Sequence, residues 1–163
     1  KYKNIKVQIS GGDKMQDVIQ SFDTNFGISQ LIVDNINHCG YKTPTPVQKF
    51  TIPIILKGEY DIMGCAQTGS GKTAAFIIPI FTRIIEEGCA HDESIIAPEL
   101  LVLVPTRELS CQIWSDMRKL AYGTSIRTGV VYGGVSRQFL MKYLSRGCDA
   151  LAATPGRLLD FCN

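Results

Sequence analysis

No run of apolar residues in the 163-residue sequence approaches the roughly 20 needed to span a bilayer. The first ten residues, Lys1 to Ser10, lack the apolar core of a secretory signal, so a soluble intracellular protein is expected. There is no C-x-x-C pair and no histidine at ligand spacing. The six cysteines (Cys39, Cys65, Cys89, Cys111, Cys148, Cys162) therefore read as free thiols in a reducing compartment, with Cys65 a small buried residue of a strand. His38 at a helix end suits a charge partner for the helix terminus, and His91 stands alone in a polar stretch; neither argues for catalysis. A formal charge of +2 selects no class of partner, since a basic face can sit on a near-neutral domain. Internal repeats and low-complexity tracts are also lacking.

What is present is enough apolar residue, 45%, to bury a core without disulfides, and the length suits one domain. A polar leader ends at Gly11-Gly12, so residues 1–21 read as an extended arm. Ile28, Leu31, Ile32 and Ile36 recur at helical spacing, with Ser29 near the start of that helix and Gly40 just past its end. A second helix should begin near Thr45 and Pro46 and run toward Leu56, disturbed at Pro53.

From Asp61 the pattern changes. Asp61 to Ala66 reads as a short apolar strand and Gly71 to Glu87 as a long helix, bent at Pro79. Three further strands are expected at Leu100 to Val104, Ile126 to Tyr132 and Cys148 to Ala153. Helices should follow them at about Thr106 to Leu120, Val135 to Leu144 and from Pro155, with Glu87 to Glu99 an exposed loop. Such alternation implies βαβ units and an α/β fold, a parallel sheet covered by helices on both faces.

The segment Ala66-Gln67-Thr68-Gly69-Ser70-Gly71-Lys72-Thr73 joins an expected strand to an expected helix, which is the context a phosphate-binding loop requires. Its amides would wrap a β-phosphate, Gly69 and Gly71 would let the backbone approach closely, and the helix start favours an anion. Lys72 would meet the β- and γ-phosphates, and the Thr73 hydroxyl is the expected magnesium ligand. Ala66 occupies the place where this pattern usually begins with glycine. The loop alone does not choose among kinases, GTPases, motors and helicases.

Upstream, Gly40-Tyr41-Lys42-Thr43-Pro44-Thr45-Pro46-Val47-Gln48, with Phe22 before it, resembles the Q motif of DEAD-box RNA helicases. The amide of Gln48 offers one donor and one acceptor edge, which match adenine N7 and N6 and mismatch guanine O6, so ATP is expected over GTP. Tyr41 would stack on the adenine, and the Thr43 backbone would contact its exocyclic amine if the family arrangement holds. Downstream, Pro105-Thr106-Arg107-Glu108-Leu109 resembles motif Ia, Gly133-Gly134 the glycine doublet, and Thr154-Pro155-Gly156-Arg157 motif Ib. Each follows the carboxyl end of an expected strand, where open α/β sheets bind ligands and where such residues can hold RNA phosphates without reading sequence.

The resemblance runs from about Phe22 to Phe161 and looks closest to the Vasa and Belle branch. It implies a RecA-like first helicase domain over residues 22–163, expected to be incomplete because it stops before the DEAD segment, with ATP and Mg2+ as cofactors, RNA and a second RecA-like domain of the parent chain as partners, and no membrane. Localisation is expected in the cytoplasm, the nucleus or ribonucleoprotein granules. The Asp-Glu-Ala-Asp and Ser-Ala-Thr segments and the second RecA-like domain are not among these residues, and Asp160, in an expected helix start, does not replace the missing acid. These residues alone are therefore expected to bind nucleotide at most weakly and not to hydrolyse it, as part of a longer polypeptide. A nucleotide-gated RNA clamp or scaffold without productive unwinding, and another phosphate-loop kinase or NTPase, are the alternatives.

Overall fold

A computed structural model describes residues 7–11, 18–88 and 96–162, and the chain divides into two compact units, Lys1–Glu86 and Glu87–Asn163. Gly12, Cys89 and His91 lie outside the described residues.

The first unit is helical. Helix α1 (Gln30–His38) starts after Ser29, carries His38 in its last turn and is followed by Gly40 at φ +75°. Ile28, Ile32 and Ile36 are buried as their spacing requires, but Leu31 is 46% exposed. The i, i+4, i+8 row faces inward, and Val33 joins it in place of Leu31. Helix α2 (Pro46–Lys57) has proline in its first turn and ends on Gly58 at φ +69°.

Pro53 lies inside α2 without ending it. Having no N–H, it leaves the Lys49 carbonyl without its usual helical partner, and the Ile19 N–H donates to that carbonyl at 3.2 Å. Ile19, within the stretch read as an arm, is thereby fastened to the unit and buried, whereas residues 7–11 are exposed. Helix α3 (Lys72–Glu87) runs through Pro79 and buries Ile77, Ile78 and Phe81 completely.

The strand expected at Asp61 to Ala66 is not formed: residues 61–67 have no regular structure, Met63 is 93% exposed, and Cys65 is exposed rather than buried. A strand exists through its ladder. Among the described residues the only sheet is built by β1 (Leu100–Leu103), β2 (Thr128–Val131) and β3 (Ala150–Ala153), and 61–66 has no place in it.

That sheet, in the second unit, is parallel with order β1-β3-β2. The central strand β3 is buried at all four positions, so both its faces are covered. Helix α4 (Arg107–Leu120) packs along β2 and β3, burying Ile113, Met117 and Leu120. Helix α5 (Arg137–Leu144) sets Leu140 and Leu144 against Val131, Leu151 and Ala153, joined by Leu158 and Phe161 of α6 (Pro155–Cys162). Gly129 is required here: a Cβ would stand 2.7 Å from Cys148 Sγ and 2.8 Å from Leu144 Cδ2.

One buried carboxylate fastens the entrance to β2 and β3. Asp149, 1% exposed, accepts from the Arg127 N–H at 2.6 Å, from Nε at 3.1 Å and from Nη2 at 2.9 Å. The neighbouring Cys148 thiol is pushed up to about 12, first by burial and then by the Asp149 charge.

Candidate functional site

In the first unit, Thr45 precedes α2 and Gln48 stands three residues on, the T-x-x-Q pattern of a helix capping box. Gln48 reaches back so that its Oε1 accepts the Thr45 N–H at 2.8 Å, while its Nε2 donates to the Gly71 carbonyl at 3.1 Å. The side chain, 4% exposed, thus bridges the start of α2 and the loop that opens α3. Its amide keeps one further N–H and one further lone pair for a ligand.

The loop turns through Gly69 at φ +75° and Gly71 at φ +87°, conformations that favour glycine. Open space surrounds the missing Cβ of Gly69, whereas one on Gly71 would stand 2.4 Å from Gln48 Nε2. Lys72, first in α3, donates from Nζ to the carbonyls of Ala66 and, at 2.8 Å, Gln67. Its ammonium is therefore folded over the loop it would serve. Thr68 stands at the turn and Thr73 in the first turn of α3.

The fit of a phosphate to this loop can be judged from its unmet polar groups. The Ser70 hydroxyl is buried without a partner among the described residues, which is costly unless a polar ligand supplies one. An orphaned hydroxyl, a lysine ammonium and open glycine backbone suit an oxyanion. Of the other expected nucleotide contacts, Tyr41 and Thr43 are exposed, while Phe22 is 8% exposed and belongs to the core of the unit.

In the second unit the sheet gathers three predicted segments at one edge. Leu103, Ala153 and Val131 are in register, so residues 104–107, 154–157 and 132–135 all follow the carboxyl ends of adjacent strands. The Val104 N–H donates to Ala153 O at 2.9 Å and the Thr154 N–H to Val131 O at 3.0 Å, which keeps the three ends level. Pro105, Thr106, Arg107, Gly133, Gly134, Pro155 and Gly156 are exposed there, and Thr154 is half-buried. Thr106 caps α4, its hydroxyl accepting the Leu109 N–H at 3.2 Å.

The two arginines are held differently. The Arg107 guanidinium lies 4.7 Å from the centroid of the Tyr132 ring. That of Arg157 donates to the Val135 carbonyl through Nη2 and to Asp160 at 3.2 Å through Nη1, and its Nε is buried without a partner among the described residues. Tyr132, Val135 and Asp160 were not assigned from the sequence. An aromatic residue directly before Gly133-Gly134 was the available signal for the first, while the other two depend on how α6 meets the loop.

Residues 45–163 match the protein family described as DEAD/DEAH box helicase. The ATP-dependent RNA helicase vasa of Drosophila melanogaster is 47% identical over 161 residues, which are 99% of this chain and 24% of that protein. The probable ATP-dependent RNA helicase DDX4 of Homo sapiens is 43% identical over 98% of this chain and 22% of its own length. Among solved structures, the yeast DEAD-box splicing factor Prp28 superposes with a TM-score of 0.83 at 32% identity, covering 94% of this chain and 36% of that one. The chain thus spans about a quarter of the length of the curated relatives it matches. Its parallel sheet and flanking helices are the RecA-like architecture of those neighbours.

Proposed function

The chain belongs to the DEAD/DEAH box helicase family, and from that premise we propose that it is the ATP-binding and RNA-binding first domain of an ATP-dependent RNA helicase. The observation that carries this reading is the 3.1 Å bond from Gln48 Nε2 to the Gly71 carbonyl. It ties the side chain suited to adenine directly to the loop suited to phosphate, an economy that a loop serving any triphosphate would not need.

Each residue has a task that follows from its setting. Gln48, fixed by the Thr45 N–H and the Gly71 carbonyl, presents its remaining donor and acceptor to the adenine edge. Tyr41 offers an exposed face for stacking. Lys72 exchanges the carbonyls of Ala66 and Gln67 for phosphate oxygens, and the Ser70 hydroxyl gains the partner it lacks. Thr73 would hold Mg2+, whose charge supports the β- and γ-phosphates.

On the edge of the sheet, Thr106, Gly133, Gly134 and Thr154 offer hydroxyl and amide groups, and Arg107 a charge, to successive RNA phosphates. Hydrolysis and duplex separation belong to the longer protein, in which the Asp-Glu-Ala-Asp and Ser-Ala-Thr segments and a second RecA-like domain supply the remaining groups; residues 22–163 hold nucleotide without hydrolysing it.

The test is ATP against GTP binding in the full-length protein, by fluorescence of a labelled nucleotide, with Gln48→Ala alongside. ATP should bind more tightly, and the substitution should erase most of the difference. Equal affinities, unaltered by the substitution, would defeat the adenine assignment.

A further inference from the structure

Arg107 begins α4, after β1, whereas Tyr132 follows β2, and β3 lies between those strands. The arginine must therefore extend past the end of the central strand to reach the ring, 4.7 Å from its centroid. Its Nη1 lies 3.9 Å from the position a Cβ would take on Gly134, within ordinary van der Waals distance. Gly134 has φ +87° and is exposed, as is Arg107, while Tyr132 is half-buried. The aromatic face thus holds the cation beside Gly134.

We infer that Tyr132 is a positioning residue for RNA binding, acting through Arg107; this rests on the backbone-binding reading above. An exposed arginine has many rotamers, and part of that freedom is lost whenever it grips a phosphate. Stacking on Tyr132 removes some of that freedom in advance and holds the guanidinium, with its N–H donors, beside Gly134. The ring need not touch RNA to strengthen its binding. Replacing it with an aliphatic side chain frees the arginine, and an exposed cation–π contact of this kind corresponds to about a two- to fivefold change in affinity.

The experiment measures binding of a single-stranded oligouridine by fluorescence anisotropy in the full-length protein. Tyr132→Leu should weaken binding about two- to fivefold, and Tyr132→Phe, which keeps the ring, should retain it. In an Arg107→Ala background, Tyr132→Leu should have no further effect. Equal weakening by Tyr132→Leu in both backgrounds would overturn the inference, because the ring would then act on RNA or on the fold independently of the arginine. Wild-type affinity in Tyr132→Leu would also overturn it.

Should Tyr132→Leu fail to fold, phenylalanines of increasing fluorine content at position 132 keep the shape and weaken the ring electrostatics. Affinity should fall stepwise along that series, and a flat series overturns the inference. If Arg107→Ala leaves both affinity and salt dependence intact, the RNA reading of Arg107 itself fails and the inference falls with it. Loss in Arg107→Ala with no loss in Tyr132→Leu leaves the RNA reading standing and removes the inference alone.

Discussion

Gly71→Ala puts a methyl group where the structure has no room for one. The new Cβ would stand 2.4 Å from Gln48 Nε2, 3.1 Å from its Cδ and 3.2 Å from Thr45 Oγ1, on a backbone at φ +87°. The left-handed backbone costs an alanine about 1–2 kcal/mol. A terminal amide can often swing aside, but this one is buried and bonded at both ends, to the Thr45 N–H at 2.8 Å and the Gly71 carbonyl at 3.1 Å. Moving it forfeits two hydrogen bonds at about 0.5–1.5 kcal/mol each, for a total loss of about 2–5 kcal/mol with the backbone term.

The two parts separate in a double-mutant cycle followed by urea denaturation. Gln48→Ala removes both bonds at the outset, so adding Gly71→Ala to it should cost only the backbone term, about 1–2 kcal/mol. The coupling between the sites should therefore be about 1–3 kcal/mol. Additivity to within about 0.5 kcal/mol would refute the collision argument, leaving only the strain of the left-handed residue.

Asp149→Ala takes the shared acceptor from the Arg127 backbone and guanidinium and should lower stability by about 2–3 kcal/mol in the same assay; a change under about 0.5 kcal/mol would mean that water replaces the carboxylate without cost. Native protein treated with iodoacetamide near neutral pH should leave Cys148 unmodified when its peptides are weighed, because the thiol is buried and its ionisation is pushed up to about 12 from an ordinary 9.0. The raised value also means that folding favours the protonated thiol, so this group's contribution to stability is complete below about pH 9 and is lost as pH rises toward 12; Cys148→Ala should soften the alkaline decline, and prompt alkylation of native Cys148 would contradict its placement.

Local signals in the sequence were sufficient wherever the physics is local. Thr106 stands at the expected start of α4, and Pro46 at that of α2. Periodicity identified the buried row of α1 but admitted Leu31, because residues 31 and 32 both fit an apolar stripe and only packing decides which one is covered. Residues 61–66 have the composition of a buried strand, yet no ladder forms there, since composition does not supply the partners that make a strand.

The same distinction governs the sites. Thr45 and Gln48 are three residues apart, so the cap between them is written in the chain, and with it the reason the Gln48 side chain is held in place. Its second bond, to Gly71, is not local and required the fold. Arg107 and Tyr132 are further still: their meeting follows from a strand order in which β3, last in sequence, is central in space. The ring can hold the arginine beside Gly133-Gly134 only while β1 and β2 flank that strand in register. An error of one residue in either ladder would carry Arg107 or Tyr132 along its strand and separate them. Reading the sheet edge therefore depends on the register itself, which the common level of Leu103, Ala153 and Val131 fixes.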